Sequence, residues 1–170
     1  MESKMSLSYR AAVFAKEAHK HQVRKYTGDP YWVHLSEVAG IFSTVVDGLP
    51  YYLSNAALAT CWLHDTIEDC AVSAESLDLQ FGSVVADAVS YLSDLQEGTR
   101  VERKAATRER LAAAPGWVQT IKCADLISNT SSIVIHDPKF AVTYLAEKRD
   151  LLTVLTKADP RLREWARSQT

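Results

Sequence analysis

The sequence predicts an all-α fold, a compact bundle of helices joined by short turns. Three observations predict it. Apolar residues recur at helical spacing, while no alternating strand pattern runs longer than a few residues. The punctuation is helical, with Ser, Thr or Asp before a run and Gly or Pro after it. The run Ala56-Ala57-Leu58-Ala59-Thr60-Cys61-Trp62-Leu63 reads as a buried helix. No internal repeat or low-complexity linker interrupts the pattern. A chain of 170 residues has room for one domain, residues 1–170, with a core of its own.

The first helix starts near Ser6 or Ser8 and runs to about His21, with Ala11, Phe14, Ala15 and Ala18 inward. Gly28-Asp29-Pro30 then makes a turn. A second helix spans about Leu35 to Val46 and ends at Gly48-Leu49-Pro50. The third, about Asn55 to Ile67 with Ser54 as its cap, contains the apolar run. A short helix from about Ala74 to Phe81 is capped by Ser73 and stopped by Gly82. The next spans about Val84 to Leu95. Thr99-Arg100-Val101-Glu102 is a capping-box pattern opening a polar, basic helix to about Ala114. A long helix spans about Trp117 to Ile135. Asp137-Pro138 and Asp159-Pro160 each read as a cap followed by proline at the first helical position. They open a helix over about 138–157 and a short terminal one.

Composition excludes several classes. Hydrophobic content of 47% and charged content of 24% are those of an ordinary globular protein. No apolar run is long enough to span a membrane, and Met1-Glu2-Ser3-Lys4 opens no leader sequence. Cys61, Cys70 and Cys123 form no CxxC, which fits reduced thiols and a cytoplasmic location. A net charge of −2 with no long basic, aromatic-interleaved stripe argues against nucleic acid. The oligomeric state, a homodimer included, is open.

Charge is nonetheless uneven. From Tyr26 to Thr99 there are eleven Asp or Glu and no Lys or Arg, so residues 26–99 sum to −11 and the flanks together to +9. In the middle stands His64-Asp65-Thr66-Ile67-Glu68-Asp69. It places an imidazole and three carboxylates at the end of the apolar helix, where the dipole disfavours anions. A compensating cation must come from elsewhere in the fold or from a bound metal. Adjacent His and Asp fit a divalent metal with mixed N and O donors. His34 is a third candidate ligand. Asp125 is a fourth, because a buried Asp is paired, hydrogen-bonded or on a metal. Asn129, four residues on, shares its helix face.

Taken together, these residues form a known order. Phe14-Ala15-x-x-Ala18-His19, Gln22-x-Arg24-Lys25, Gly28-Asp29-Pro30-Tyr31-x-x-His34, Val38-Ala39-x-Ile41, His64-Asp65-x-x-Glu68-Asp69 and Lys122-x-Ala124-Asp125-x-x-x-Asn129 resemble the hydrolase domain of the RelA/SpoT family. That family is a branch of the HD-domain phosphohydrolases. The likeness covers about residues 10–130 and implies a standalone HD-domain bundle that removes the 3′-pyrophosphate of alarmones such as (p)ppGpp. It departs at Leu35, where the family usually has Pro, and at His21, where it often has Gly. The loop after Arg24-Lys25 is about one residue longer. Leu126-Ile127-Ser128-Asn129 stands where Arg-Leu-His-Asn is common.

The resemblance implies roles. His34, His64, Asp65 and Asp125 would hold one divalent cation, Mn2+ in the family, although the donor set also accepts other first-row metals. Glu68 and Asp69, one helical turn beyond His64 and Asp65, would position and deprotonate the attacking water. Arg24 and Lys25 would contact the nucleotide, with the Arg24 guanidinium stacked on the base. Asn129 would sit at the ribose, and Tyr144 is a further pocket candidate. Lys122 and Lys148 are possible phosphate partners. Two other functions remain: an HD phosphohydrolase of another nucleotide (an adenine alarmone, a monophosphate or a dinucleotide cofactor), and a non-catalytic nucleotide-binding regulator.

Overall fold

Ten α-helices and one 3-10 turn are present among residues 5–170, which this computed structural model describes. Met1–Lys4, where the leader reading falls, lie outside the described residues. The helices are α1 Leu7–Ala18, α2 Trp32–Ser43, α3 Tyr51–Leu63, α4 Thr66–Cys70, α5 Ala74–Phe81, α6 Ser83–Leu92, α7 Arg100–Ala113, α8 Gly116–His136, α9 Pro138–Val154 and α10 Pro160–Ser168; the 3-10 turn is Val46–Gly48. The expected caps form. Ser6, Ser73, Asp137 and Asp159 each accept a backbone N–H in the first turn, and Thr99 with Glu102 closes a full capping box.

Three boundaries differ from the sequence reading in ways that matter. Helix α3 begins at Tyr51 with Pro50 before it, not at Asn55. Ser54 is no cap: it lies inside the helix, and its hydroxyl donates back to the Leu49 and Pro50 carbonyls. The same helix stops at Leu63 rather than Ile67, because side chains satisfy its terminal carbonyls. His64 Nδ1 bonds the Cys61 carbonyl at 2.9 Å, and the Thr66 hydroxyl bonds that of Leu63 at 2.7 Å. His64 and Asp65 thus form a corner. Glu68 and Asp69 fall in the first turn of α4, the helix end that favours anions, not in the last turn of α3. Several other ends come earlier than expected, at Ala18, Ser43, Leu92 and Val154.

Helix α3 separates two cores. Ala57 and Cys61 face a cluster with Val38, Phe42, Leu111, Ile121, Ile127 and Leu155. Ala56, Ala59 and Leu63 face the other, with Ala11, Ala15, Leu35, Leu77, Phe81 and Val89. Small alanines on both faces let α1, α2, α6 and α8 all pack against it. Helix α8 is likewise buried along most of its length, from Val118 to Thr130, between α2, α9 and α10. The corner at the end of α3 and Asp125 in the middle of α8 are therefore held by close-packed walls. The three cysteines are free. No helix among the described residues is long and apolar enough to cross a membrane.

One buried charge lies in the second wall. Lys148 of α9 is 1% exposed, and its ammonium donates to Thr130 Oγ1 at 2.7 Å and Gln169 Oε1 at 2.8 Å. Burial pushes its pKa down to about 8 from the ordinary 10.5. Between those values the folded chain binds fewer protons than the unfolded one, so this group makes stability rise with pH across that window. Urea melts should show the wild type gaining about 3 kcal/mol on Lys148→Met between pH 7 and pH 10.5. Parallel pH profiles for the two proteins would show that Lys148 is not depressed.

Candidate metal centre and its clefts

His34 enters on the first turn of α2, His64 and Asp65 at the α3–α4 corner, and Asp125 midway along α8. The fold brings these four sequence-distant groups to one point. His34 Nε2 lies 3.2 Å from Asp125 Oδ1 and 3.7 Å from Asp65 Oδ2. His64 Nε2 lies 3.0 Å from Asp65 Oδ2 and 3.8 Å from Asp125 Oδ1. Both histidines are fully buried, and neither Nε2 has a hydrogen-bond partner. The other ring nitrogen is engaged in each case: His34 Nδ1 with Ser128 Oγ at 2.9 Å, His64 Nδ1 with the Cys61 carbonyl.

This arrangement fits a divalent cation. His34, His64 and Asp125 offer ligand atoms all within 4.8 Å of one another, and Asp65 stands beside them. A carbonyl can only accept, so His64 carries its proton on Nδ1 and presents a bare Nε2. A bare Nε2 facing carboxylate oxygens is repelled unless a positive charge sits between them. A proton can take that place on His64. Burial opposes the charge, but Asp65 and Asp125 outweigh it and raise the pKa well above the usual imidazole value.

Each carboxylate is held. Asp125 Oδ2 receives Lys122 Nζ at 2.7 Å, and its Oδ1 receives Asn129 Nδ2 at 2.6 Å. Burial opposes ionisation of Asp125, yet Lys122 and the two histidines keep its pKa well below normal. Asp65 is likewise lowered, against its burial, by His64 and His34. Tyr31 donates its hydroxyl to Asp65 Oδ2 at 2.6 Å. The cation missing from residues 26–99 thus arrives from α8 as Lys122. Two more come from α7, where Lys104 and Arg103 lie 3.5 and 3.8 Å from Asp94.

Two clefts flank the centre. The larger, about 340 Å³, is lined by Glu68, Lys104, Arg108, Lys122, Asp125 and Tyr144, among others. The smaller, about 220 Å³, is lined by Arg24, Lys25, Tyr26, His34, Ser132 and Phe140, among others. Asn129 lines both. The two candidate acids part here. Glu68 faces the larger cleft with Oε2 accepting the Asp94 N–H at 2.7 Å, and burial raises its pKa against that bond. Asp69 lines neither cleft, and its Oδ2 accepts Gln22 Nε2 at 2.8 Å.

The Arg24 segment is not a loose loop. Arg24 N bonds the Asp29 carbonyl, Gly28 N bonds that of Arg24, and Tyr31 N bonds that of Gln22. Gly28 closes this hairpin at φ 75°, which glycine adopts without strain. The Arg24 guanidinium is 10% exposed and pairs with Glu37 Oε2 at 2.7 Å. Lys25 is mostly exposed, over the Tyr26 ring. Sequence reasoning missed Lys104 and Arg108, although Arg100, Lys104 and Arg108 are spaced by four on one helix and so share a face. It also assigned no role to Tyr31, Glu37 and Ser128, although each lies three residues from His34 or Asp125 in sequence.

The HD domain family model matches residues 11–167. The chain belongs to the HD-domain family. Guanosine-3′,5′-bis(diphosphate) 3′-pyrophosphohydrolase MESH1 of Xenopus tropicalis is 34% identical to it over 130 residues, 76% of this chain and 70% of that protein. GTP pyrophosphokinase rsh of Brucella suis is 35% identical over 145 residues, 81% of this chain but 18% of its own length. Against the rsh protein of Brucella melitensis the chain spans 13% of the longer protein. A solved metazoan ortholog of SpoT that hydrolyzes ppGpp shares the fold, with a TM-score of 0.84 over 99% of this chain and 96% of that one, at 22% identity. These relatives put the chain on the RelA/SpoT-like branch of the family.

Proposed function

We propose that the protein is a metal-dependent hydrolase that removes the 3′-pyrophosphate from nucleotide alarmones such as (p)ppGpp, and that residues 1–170 act as one hydrolase domain. The observation that carries this reading is the convergence of two buried, unpartnered Nε2 atoms with Asp65 and Asp125 between two clefts, with an acid, Glu68, on the wall of the larger. Its relative MESH1 is named for this reaction. His34, His64, Asp65 and Asp125 would hold the cation, Mn2+ on the family resemblance. When bound, it supplies Lewis-acid polarisation of a phosphoryl group and a lowered pKa for water.

The chain's own residues do the rest. Glu68 takes the proton of the attacking water, and its raised pKa brings it closer to the working pH. Lys104, Arg108 and Lys122, on the same wall, match the charge of a polyphosphate. Arg24, Lys25 and Asn129 in the smaller cleft, with Tyr144 across the larger, contact the nucleoside. Asp69, tied to Gln22, supports the corner rather than touching substrate. Incubation with Mn2+ and a panel of 3′-pyrophosphorylated nucleotides tests the assignment. Pyrophosphate is the expected product. Orthophosphate would indicate a phosphatase of another nucleotide, and binding without turnover a regulator.

A further inference from the structure

We propose that Ser128, anchored by Glu37 and through it by Arg24, is a positioning residue that fixes which nitrogen of His34 carries the proton and so keeps Nε2 open to the metal. The proposal rests on His34 being a ligand. Four groups from three parts of the chain form one line. Arg24 Nη1 donates to Glu37 Oε2 at 2.7 Å. Ser128 Oγ donates to the same oxygen at 2.6 Å. His34 Nδ1 lies 2.9 Å from Ser128 Oγ.

The direction of the last bond follows from proton counting. A carboxylate only accepts, and a serine hydroxyl has one proton. Ser128 spends that proton on Glu37, so toward His34 it can only accept, and Nδ1 must be the protonated nitrogen. The opposite tautomer would put a proton on Nε2, 3.2 Å from Asp125 Oδ1, where it would occupy the cation's place. Ser128 is 4% exposed and His34 1%, so water does not substitute for either bond. Packing of α2 on α8 sets the geometry. His34 and Glu37 lie three apart on α2, and Asp125 and Ser128 three apart on α8, so the same two helix faces supply ligands and support.

The two histidines are therefore secured differently. His64 is oriented by a carbonyl of its own helix, which nothing in the clefts can change. His34 depends on a carboxylate that is itself held by a residue of the smaller cleft. Arg24 accordingly has a task at the metal centre before any nucleotide arrives. A hydroxyl here does what an acceptor behind a metal-bound histidine commonly does, and removing such a group typically costs ~10–100-fold in metal affinity.

Calorimetric titration of Mn2+ into metal-stripped protein, with nitrogen-15 NMR of the histidine rings, tests the proposal. Wild type should show His34 protonated on Nδ1. Ser128→Ala should bind Mn2+ ~10–100-fold more weakly, and Ser128→Thr should recover most of the loss. Glu37 is half exposed, so Glu37→Ala should fold normally; it frees the Ser128 proton for His34 and should shift the ring toward the Nε2–H form. Arg24→Ala should weaken Mn2+ binding with no nucleotide present. Unchanged affinity and unchanged tautomer in Ser128→Ala and Glu37→Ala would overturn the relay. Unchanged affinity in His34→Ala would instead overturn the ligand assignment beneath it.

Discussion

Glu68→Gln should turn over ~10²–10⁴-fold more slowly than wild type while keeping its Mn2+ and its affinity for substrate. The reason is geometric. Glu68 Oε2 accepts the Asp94 N–H at 2.7 Å, and a glutamine carbonyl oxygen can accept the same bond, so the side chain stays in place. What disappears is the lone pair able to take a proton. Burial is the largest influence on the Glu68 carboxyl and raises its pKa; the Asp94 N–H opposes this and the Asp65 charge adds to it. A base raised in this way retains a proton more readily once it has taken one. The loss should fall on kcat with KM nearly constant, because only a step in the transition state is affected. Asp69→Asn, at a residue held by Gln22 outside both clefts, should cost far less. Wild-type turnover in Glu68→Gln, or equal losses in the two variants, would remove Glu68 from the role of base.

Asp125→Ala should lose both metal and stability. Its carboxylate is the meeting point of Lys122, Asn129 and the two histidines. Truncation removes one ligand and leaves the Lys122 ammonium, which burial alone would push toward neutrality, without its 2.7 Å partner. Breaking one side of a buried pair costs about 3–5 kcal/mol, far more than the pair's net contribution, because the remaining charge is uncompensated. His64→Ala removes a ligand but leaves Asp125 paired with Lys122 and Asp65 bonded to Tyr31, so it should lose metal with a smaller effect on folding. Elemental analysis and urea melts of the three proteins separate the two effects. Equal metal content in wild type, Asp125→Ala and His64→Ala would end the ligand assignment. Undiminished stability of metal-stripped Asp125→Ala would show that Lys122 has another partner.

The sequence carried much of the fold because the relevant forces are local. Ser73, Thr99 with Glu102, Asp137 and Asp159 announce helix starts through bonds to N–H groups two or three residues away. The same locality explains the error at Ser54. A hydroxyl can accept a forward N–H or donate to a carbonyl behind it, and spacing does not distinguish the two; here it donates. The break after Leu63 was also hidden, since it depends on where the His64 and Thr66 side chains turn.

At the site, residue type made His34, His64, Asp65 and Asp125 separate candidates, and their order, through the family resemblance, brought them into one hypothesis. Tertiary structure alone decided the rest. It turned Glu68 and not Asp69 into the larger cleft and set α7's Lys104 beside Asp94. It also put Ser128 behind His34 and tied Arg24 to Glu37. Most of these contacts join separate segments of the chain, 94 positions apart for His34 and Ser128 and 26 for Glu68 and Asp94. The 3.6-residue period specifies which face of a helix is buried, but not which helix covers it. That choice comes from the packing of α2, α3 and α8 around small alanines, and the hydrogen-bond order at the candidate metal centre follows from it.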